Sequence, residues 1–249
     1  MLAWLGGCAR AEAEKARKVE VAQAVARDDG RLKLTGVFDP DQASEPGAHE
    51  IGGGARRTLL YVPKTPAPAT GYPLVLALHG ATQSAQFAPP IFALAAERHG
   101  VVVIAPNSQA VTWDLSKGPH GTDAATIQAA LDGALTRAPI DRRRIACAGF
   151  SDGASYALSL GLTDGDLFTD VLAFSPGYLN PGEPHGKPRV FISHGRADDV
   201  LPFSGATRIA QRLKAQGYDV DFYAFKGGHW PTPKGVERAF RRFLAPQPA

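Results

Sequence analysis

The pentapeptide Gly149-Phe150-Ser151-Asp152-Gly153 sets a hydroxyl nucleophile between two glycines at the spacing Gly-x-Ser-x-Gly. It follows the apolar run Arg144-Ile145-Ala146-Cys147-Ala148 and precedes Ala154–Leu160, a stretch of helix-compatible composition. Strand, sharp turn and helix in that order hold a serine hydroxyl clear of a sheet end, where a substrate reaches it. A side chain at Gly149 or Gly153 would crowd strand against helix, and glycine tolerates the strained backbone of such a turn. The pattern alone arises by chance in a chain with 27 glycines; the flanking elements and the partners below argue against chance.

A hydroxyl is a poor nucleophile until a base takes its proton. With the serine on such a turn, the chain order is Ser, acid, His. Three of the seven histidines follow Ser151: His185, His194 and His229. His185 lies in a Pro/Gly-rich loop before the best acid, and so out of order. His194 closes the apolar run Val190–Ser193 and reads as a structural residue at a strand end. His229 follows Val220–Lys226, a plausible last strand, and Gly227-Gly228, which places it on a loop where a base is needed. The acid belongs on the loop after the preceding strand, His194-Gly195-Arg196-Ala197-Asp198-Asp199-Val200-Leu201-Pro202. Asp198 fits the spacing His-Gly-x-x-Asp-x-x-x-Pro, and Asp199 is the alternative.

The oxygen that turns negative during acyl transfer needs two aimed N–H groups. One comes from the residue after the nucleophile, Asp152. The other comes from the loop after an earlier strand. Leu74–Leu78 suits a buried parallel strand, and His79-Gly80-Ala81-Thr82-Gln83-Ser84 follows it. The amide of Ala81 is the candidate, with Thr82 second. His79 reads as a structural hydrogen-bonding ring beneath the loop.

With these pieces assembled, the chain resembles the α/β-hydrolase-fold serine esterases of the phospholipase/carboxylesterase and polyhydroxybutyrate-depolymerase-like kind. The matching segments are Leu78-His79-Gly80, Thr112-Trp113-Asp114, Gly149–Tyr156, Phe174-Ser175-Pro176-Gly177, His194-Gly195-x-x-Asp198 and Gly228-His229, in the right order from about residue 55 onward. The resemblance implies a serine nucleophile and says nothing of the substrate. Relatives often carry another Gly where Ala81-Thr82 stands here, and Trp230 directly after the base is a second departure.

The elements that must position these residues alternate. Candidate strands are Thr58–Val62, Leu74–Leu78, Val101–Ala105, Arg144–Gly149, Val171–Phe174, Arg189–Ser193 and Val220–Phe225, with a further one near Leu32–Phe38. Between them lies a Pro-start, Gly-stop helix from Pro89 to Gly100. Another carries Ile127, Ala130, Leu131, Ala134 and Leu135. A third, capped by Ser204, bears Ile209 and Leu213, and a last one has Val236, Phe240, Phe243 and Leu244 on its apolar face. The expected fold is therefore α/β, a mostly parallel central sheet flanked by helices, with active residues at the carboxyl ends of strands. Residues 55–249 form the catalytic domain, and 1–54 an N-terminal extension and loop.

Composition fits one globular unit: 249 residues, 44% hydrophobic and 20% charged. The net charge of +3 gives no ground for a nucleic-acid partner, and Arg142-Arg143-Arg144 reads as a solvated approach to a strand. Gly52-Gly53-Gly54 lacks the Lys-Ser/Thr of a phosphate loop, and no residue cluster has metal-ligand spacing. No segment is long enough to span a membrane. Leu5-Gly6-Gly7-Cys8 resembles a bacterial lipobox, yet Met1–Trp4 is too short for the apolar part of a leader. Two locations stay open: cytoplasmic, or periplasmic and lipid-anchored if Leu5-Gly6-Gly7-Cys8 is the remnant of a lipobox with a mis-called start. Ala11–Ala26 is compatible with a helix outside the core, Asp39–Gly54 reads as a loop, and Cys147 as a buried thiol.

The segment from Phe174 to Arg189 is too short, and too rich in Pro and Gly, to fold a helical cap. An open cleft without a lid is expected, with Trp113, Tyr178, Phe203 and Trp230 as candidate walls of an apolar acyl or aryl pocket. The expected chemistry is cofactor-free hydrolysis of small carboxylic esters by Ser151, His229 and Asp198, with the amides of Asp152 and Ala81 on the oxyanion. The alternatives are a thioesterase or peptidase of the same fold, or a non-catalytic binding member of it.

Overall fold

Alternation along the central strands decides the layering. Leu74, Leu76 and Leu78 pack into one apolar cluster, while Val75 and Ala77 pack into another on the opposite face. A strand buried on both faces needs helices on both sides, and the chain supplies them. The computed structural model describes residues 31–52, 57–114, 118 and 120–246.

Eight strands form one sheet: β1 Gly47–Ile51, β2 Thr58–Val62, β3 Tyr72–Leu78, β4 Val102–Ala105, β5 Ile140–Phe150, β6 Asp170–Phe174, β7 Arg189–Gly195 and β8 Val220–Phe225. Their order is β1-β2-β4-β3-β5-β6-β7-β8. From β4 to β8 every pairing is parallel, while β1 and β2 join the edge antiparallel. The helices are α1 Ala88–His99, α2 Thr122–Arg137, α3 Asp152–Thr163, α4 Phe203–Ala215 and α5 Pro233–Leu244. Residues of α2, α3 and α4 share the cluster of Leu74 and Leu76; those of α1 and α5 share that of Val75. This is the expected α/β architecture.

Four local expectations need correction. No strand forms near Leu32–Phe38. The segment lies on α2, where side chains stand in for a strand partner: Gln128 accepts from the Lys33 amide at 2.8 Å and Asp132 from the amides of Thr35 and Gly36 at 3.1 and 2.8 Å. Asp39–Gly54 is not all loop, because Gly47–Ile51 pairs with β2. Only Ile51 of that strand is buried, so it lacks the apolar alternation that marks a strand in sequence. β5 begins at Ile140 and not at Arg144, so the three arginines lie within it. Ser204 does not cap α4, since Pro202 holds that position and Phe203 opens the helix. Leu5–Cys8 and Ala11–Ala26 fall outside the described residues.

Residues 175–188, between β6 and β7, form no helix and are laced onto α3. The amides of Gly177 and Tyr178 donate to Ser155 Oγ (2.9 and 3.3 Å), Asn180 to Ser159 Oγ (3.0 Å) and Gly182 to Thr163 Oγ1 (2.9 Å). The three hydroxyls repeat every four residues, one face of a helix. They meet the backbone polarity of residues 177–182, and a bridge of Gly186 to Gly165 holds the loop's far end, so the loop lies flat against the body.

Candidate active site

Ser151 sits between β5 and α3 at φ 56°, ψ −118°. That backbone is strained for a non-glycine residue. The two flanking glycines permit it: a Cβ on Gly149 would lie 2.1 Å from Gly153 O, and one on Gly153 would lie 2.3 Å from Leu78 O. α3, β5 and β3 therefore meet backbone to backbone. The other non-glycine residues with positive φ among those described are Thr82 and Ser175, which follow β3 and β6 at the same sheet edge. Ser175 Oγ donates to His229 O at 2.7 Å, a tie that the sequence reading missed. Pro176 and Gly177 mark a turn there, but no sequence signal pairs it with residue 229.

Three loops bring Ser151, His229 and Asp198 together. Ser151 Oγ lies 2.8 Å from His229 Nε2, and His229 Nδ1 lies 2.7 Å from Asp198 Oδ2. A carboxylate only accepts, so Nδ1 carries the imidazole proton and Nε2 is free to accept from the serine hydroxyl. Asp198 Oδ1 accepts the amides of Val200 and Leu201 at 2.9 and 2.8 Å. Burial alone would raise the Asp198 carboxyl, but the bonds from His229, Leu201 and Val200 outweigh it and hold it below the ordinary range. Asp199 is exposed and makes no hydrogen bond or ion pair among the described residues.

The loop after β3 leaves the Ala81 amide over. Gly80 N–H donates to Gln83 Oε1, Gln83 N–H to Gly80 O, and Thr82 N–H to Val111 O. Ala81 N–H has no acceptor among the described residues, and neither has Asp152 N–H at the first turn of α3. The positive end of α3 favours negative charge at Asp152. His79 is buried, with Nδ1 on Gly80 O at 2.8 Å and Nε2 accepting from Ser108 N–H at 3.1 Å. Burial lowers its pKa, and the ring stays a neutral strut beneath the loop.

The Asp152 side chain has a use that the sequence did not reveal. Its carboxylate accepts from Thr112 Oγ1, from Trp113 N–H at 3.0 Å and from Tyr178 O–H at 2.6 Å. It ties the loop after β4 and the loop after β6 together beside Ser151. Burial, then the bond to Asp152, pushes the Tyr178 phenol up.

The four aromatic candidates divide. Trp113 is 2% exposed, its indole N–H bonded to His79 O at 2.8 Å and its ring stacked 5.4 Å from Tyr156. It is core packing and not a cleft wall, because nearly all its surface is spent inside. Phe203 is half-buried and meets His194 edge-on at 6.0 Å and Phe222 at 5.7 Å, with Arg196 over its ring. Through His194 and Arg196 it braces the loop that carries Asp198. Tyr178 and Trp230 are 42% and 56% exposed, and Trp230 stacks 4.8 Å from Phe150, the residue before Ser151.

A parallel sheet with a Ser, Asp and His convergent at its carboxyl edge defines the α/β-hydrolase class. Within it the chain belongs to the phospholipase/carboxylesterase family, whose profile matches residues 120–245, half of the chain. It is therefore an esterase-like hydrolase. It is 26% identical over 225 residues to a probable feruloyl esterase C of Aspergillus niger, covering 77% of this chain and 82% of that one. It is 30% identical over 117 residues to an acyl-protein thioesterase 1 of Gibberella zeae, covering 42% of this chain and 50% of that one. Among solved structures, an acetyl xylan esterase from Aspergillus awamori shares the fold at TM-score 0.63 and 17% identity over 80% of this chain and all of that one.

Proposed function

We propose that this protein is a serine hydrolase that cleaves short or aryl carboxylic esters through an acyl-enzyme intermediate. The observation that carries the reading is the unbroken chain of contacts from Ser151 Oγ through His229 to Asp198, at 2.8 and 2.7 Å. Ser151 Oγ attacks the ester carbonyl carbon while His229 Nε2 takes its proton. Asp198 fixes the tautomer and stabilises the imidazolium. The carbonyl oxygen becomes an oxyanion held by the amides of Asp152 and Ala81. Collapse breaks the bond to the alkoxy oxygen, which leaves as the alcohol with the proton from His229. A water activated by the same imidazole then attacks the acyl carbon, frees the acid and restores Ser151.

Tyr178 and Trp230 support an aryl preference, as does similarity to proteins named for a feruloyl, hence aromatic, acyl group. A thioester substrate is the second reading, favoured by the likeness to an acyl-protein thioesterase. A fluorophosphonate probe should label wild type and not Ser151→Ala, and esterase turnover should fall at least ~10⁴-fold in that variant. Wild-type turnover in Ser151→Ala would overturn the proposal. Matched ester and thioester substrates with one acyl group separate the two readings.

A further inference from the structure

His194 was expected to be a structural residue at the end of β7, yet it meets the acid of the site. Its side chain is fully buried, and Nε2 lies 3.0 Å from Asp198 Oδ2 and 2.9 Å from Leu201 O. A carbonyl oxygen only accepts, so Nε2 carries a proton. Nδ1 has no partner among the described residues. A proton there would be an orphaned buried donor, which costs free energy, so His194 is neutral with its single N–H on Nε2. His229 Nδ1 therefore bonds Asp198 Oδ2 at 2.7 Å, while the His194 Nε2–H is spent on Leu201 O and its nitrogen only stands beside that carboxylate oxygen, at 3.0 Å. An aspartate's terminal torsion is broad. The amides of Val200 and Leu201 hold Oδ1, so the plane of the carboxylate follows the turn that carries those amides, and Leu201 O of that turn is what His194 holds.

We infer that His194 is a positioning residue: its Nε2–H, bonded to Leu201 O, holds the turn whose amides set Asp198 in the plane that receives His229. The inference rests on Asp198 being the acid of the proposed ester hydrolase. Phe203, edge-on to the His194 ring, fixes its orientation in turn.

The test compares three variants on a p-nitrophenyl ester, with rates per site titrated by a fluorophosphonate so that misfolded protein does not count. His194→Phe keeps the bulk and loses the donor. His194→Gln places an amide N–H near the Nε2 position, and His194→Asn places one near Nδ1. Expected are a fall in kcat of about 10- to 100-fold for Phe and Asn with KM little changed, and recovery to within about fivefold of wild type for Gln, as small misplacements of a reacting group cost that much. A merely structural role would lower thermal stability in all three without separating Gln from Asn in kcat per titrated site. Equal kcat for Gln and Asn, or wild-type kcat for Phe, overturns the inference. If no variant folds, nitrogen NMR of the wild type decides it: a proton on Nδ1 of His194 refutes the assignment, and a neutral ring protonated at Nε2 upholds it. Failure of the wild type to take the probe would overturn the ester-hydrolase reading itself, a different result from any of these.

Discussion

Asp198→Asn changes one atom and should disable the site through a tautomer. Oδ1 of Asp198 accepts two backbone N–H groups, from Val200 and Leu201 at 2.9 and 2.8 Å. An asparagine must keep its carbonyl oxygen there, because an NH₂ group would face two donors. Its NH₂ then occupies the Oδ2 position, 2.7 Å from His229 Nδ1 and 3.0 Å from His194 Nε2. Now His229 Nδ1 must accept, so its proton moves to Nε2 and points at Ser151 Oγ. A nitrogen that carries a proton cannot take another from the serine. Reversal of the tautomer in this way costs about 10⁴ in kcat, or roughly 5.5 kcal/mol of transition-state stabilisation. KM should stay nearly constant, since no substrate contact is altered. The assay is steady-state hydrolysis of p-nitrophenyl acetate by Asp198→Asn and, beside it, Asp199→Asn. Asp199 is exposed and touches nothing in the site, so its variant should keep kcat within about twofold, the usual scale of a surface change. The reasoning fails if Asp198→Asn keeps a tenth of wild-type kcat, or if Asp199→Asn is the more damaging.

Two further outcomes follow from the loop between β6 and β7. Thr163→Val keeps shape but removes the acceptor of the Gly182 amide, so thermal unfolding should shift down by ~1–2 kcal/mol, or about 2–8 °C, checked by calorimetry; an unchanged Tm would mean that the lacing contributes nothing. Because that loop lies flat on α3 and forms no helix, rates on short esters should saturate smoothly across the solubility limit in a pH-stat assay, and a jump at the emulsion threshold would show that a cover opens over Ser151.

Ser151, the order of acid and base, and the alternation of strands with helices were all legible in the sequence. Each depends on neighbours along the chain: glycines two residues either side of a serine, an apolar run before a turn, a helical period after it. The edge strand Gly47–Ile51 was not legible, since one buried residue in five leaves no period to read. The sequence favoured Asp198 over Asp199 on spacing alone. Adjacent carboxylates differ only in the direction they face, which the amides of Val200 and Leu201 decide. It also placed Trp113 at the cleft, because an aromatic on a loop at the carboxyl edge looks the same whether it faces inward or outward. Burial against Tyr156 and the bond to His79 O settled that from 34 or more residues away. His194 shows the limit most clearly. Chain position made it the end of a strand, and only the fold back of residues 198–201 put Leu201 O on its Nε2 and the acid beside it, because a hydrogen bond is fixed by angle and distance and not by spacing in sequence.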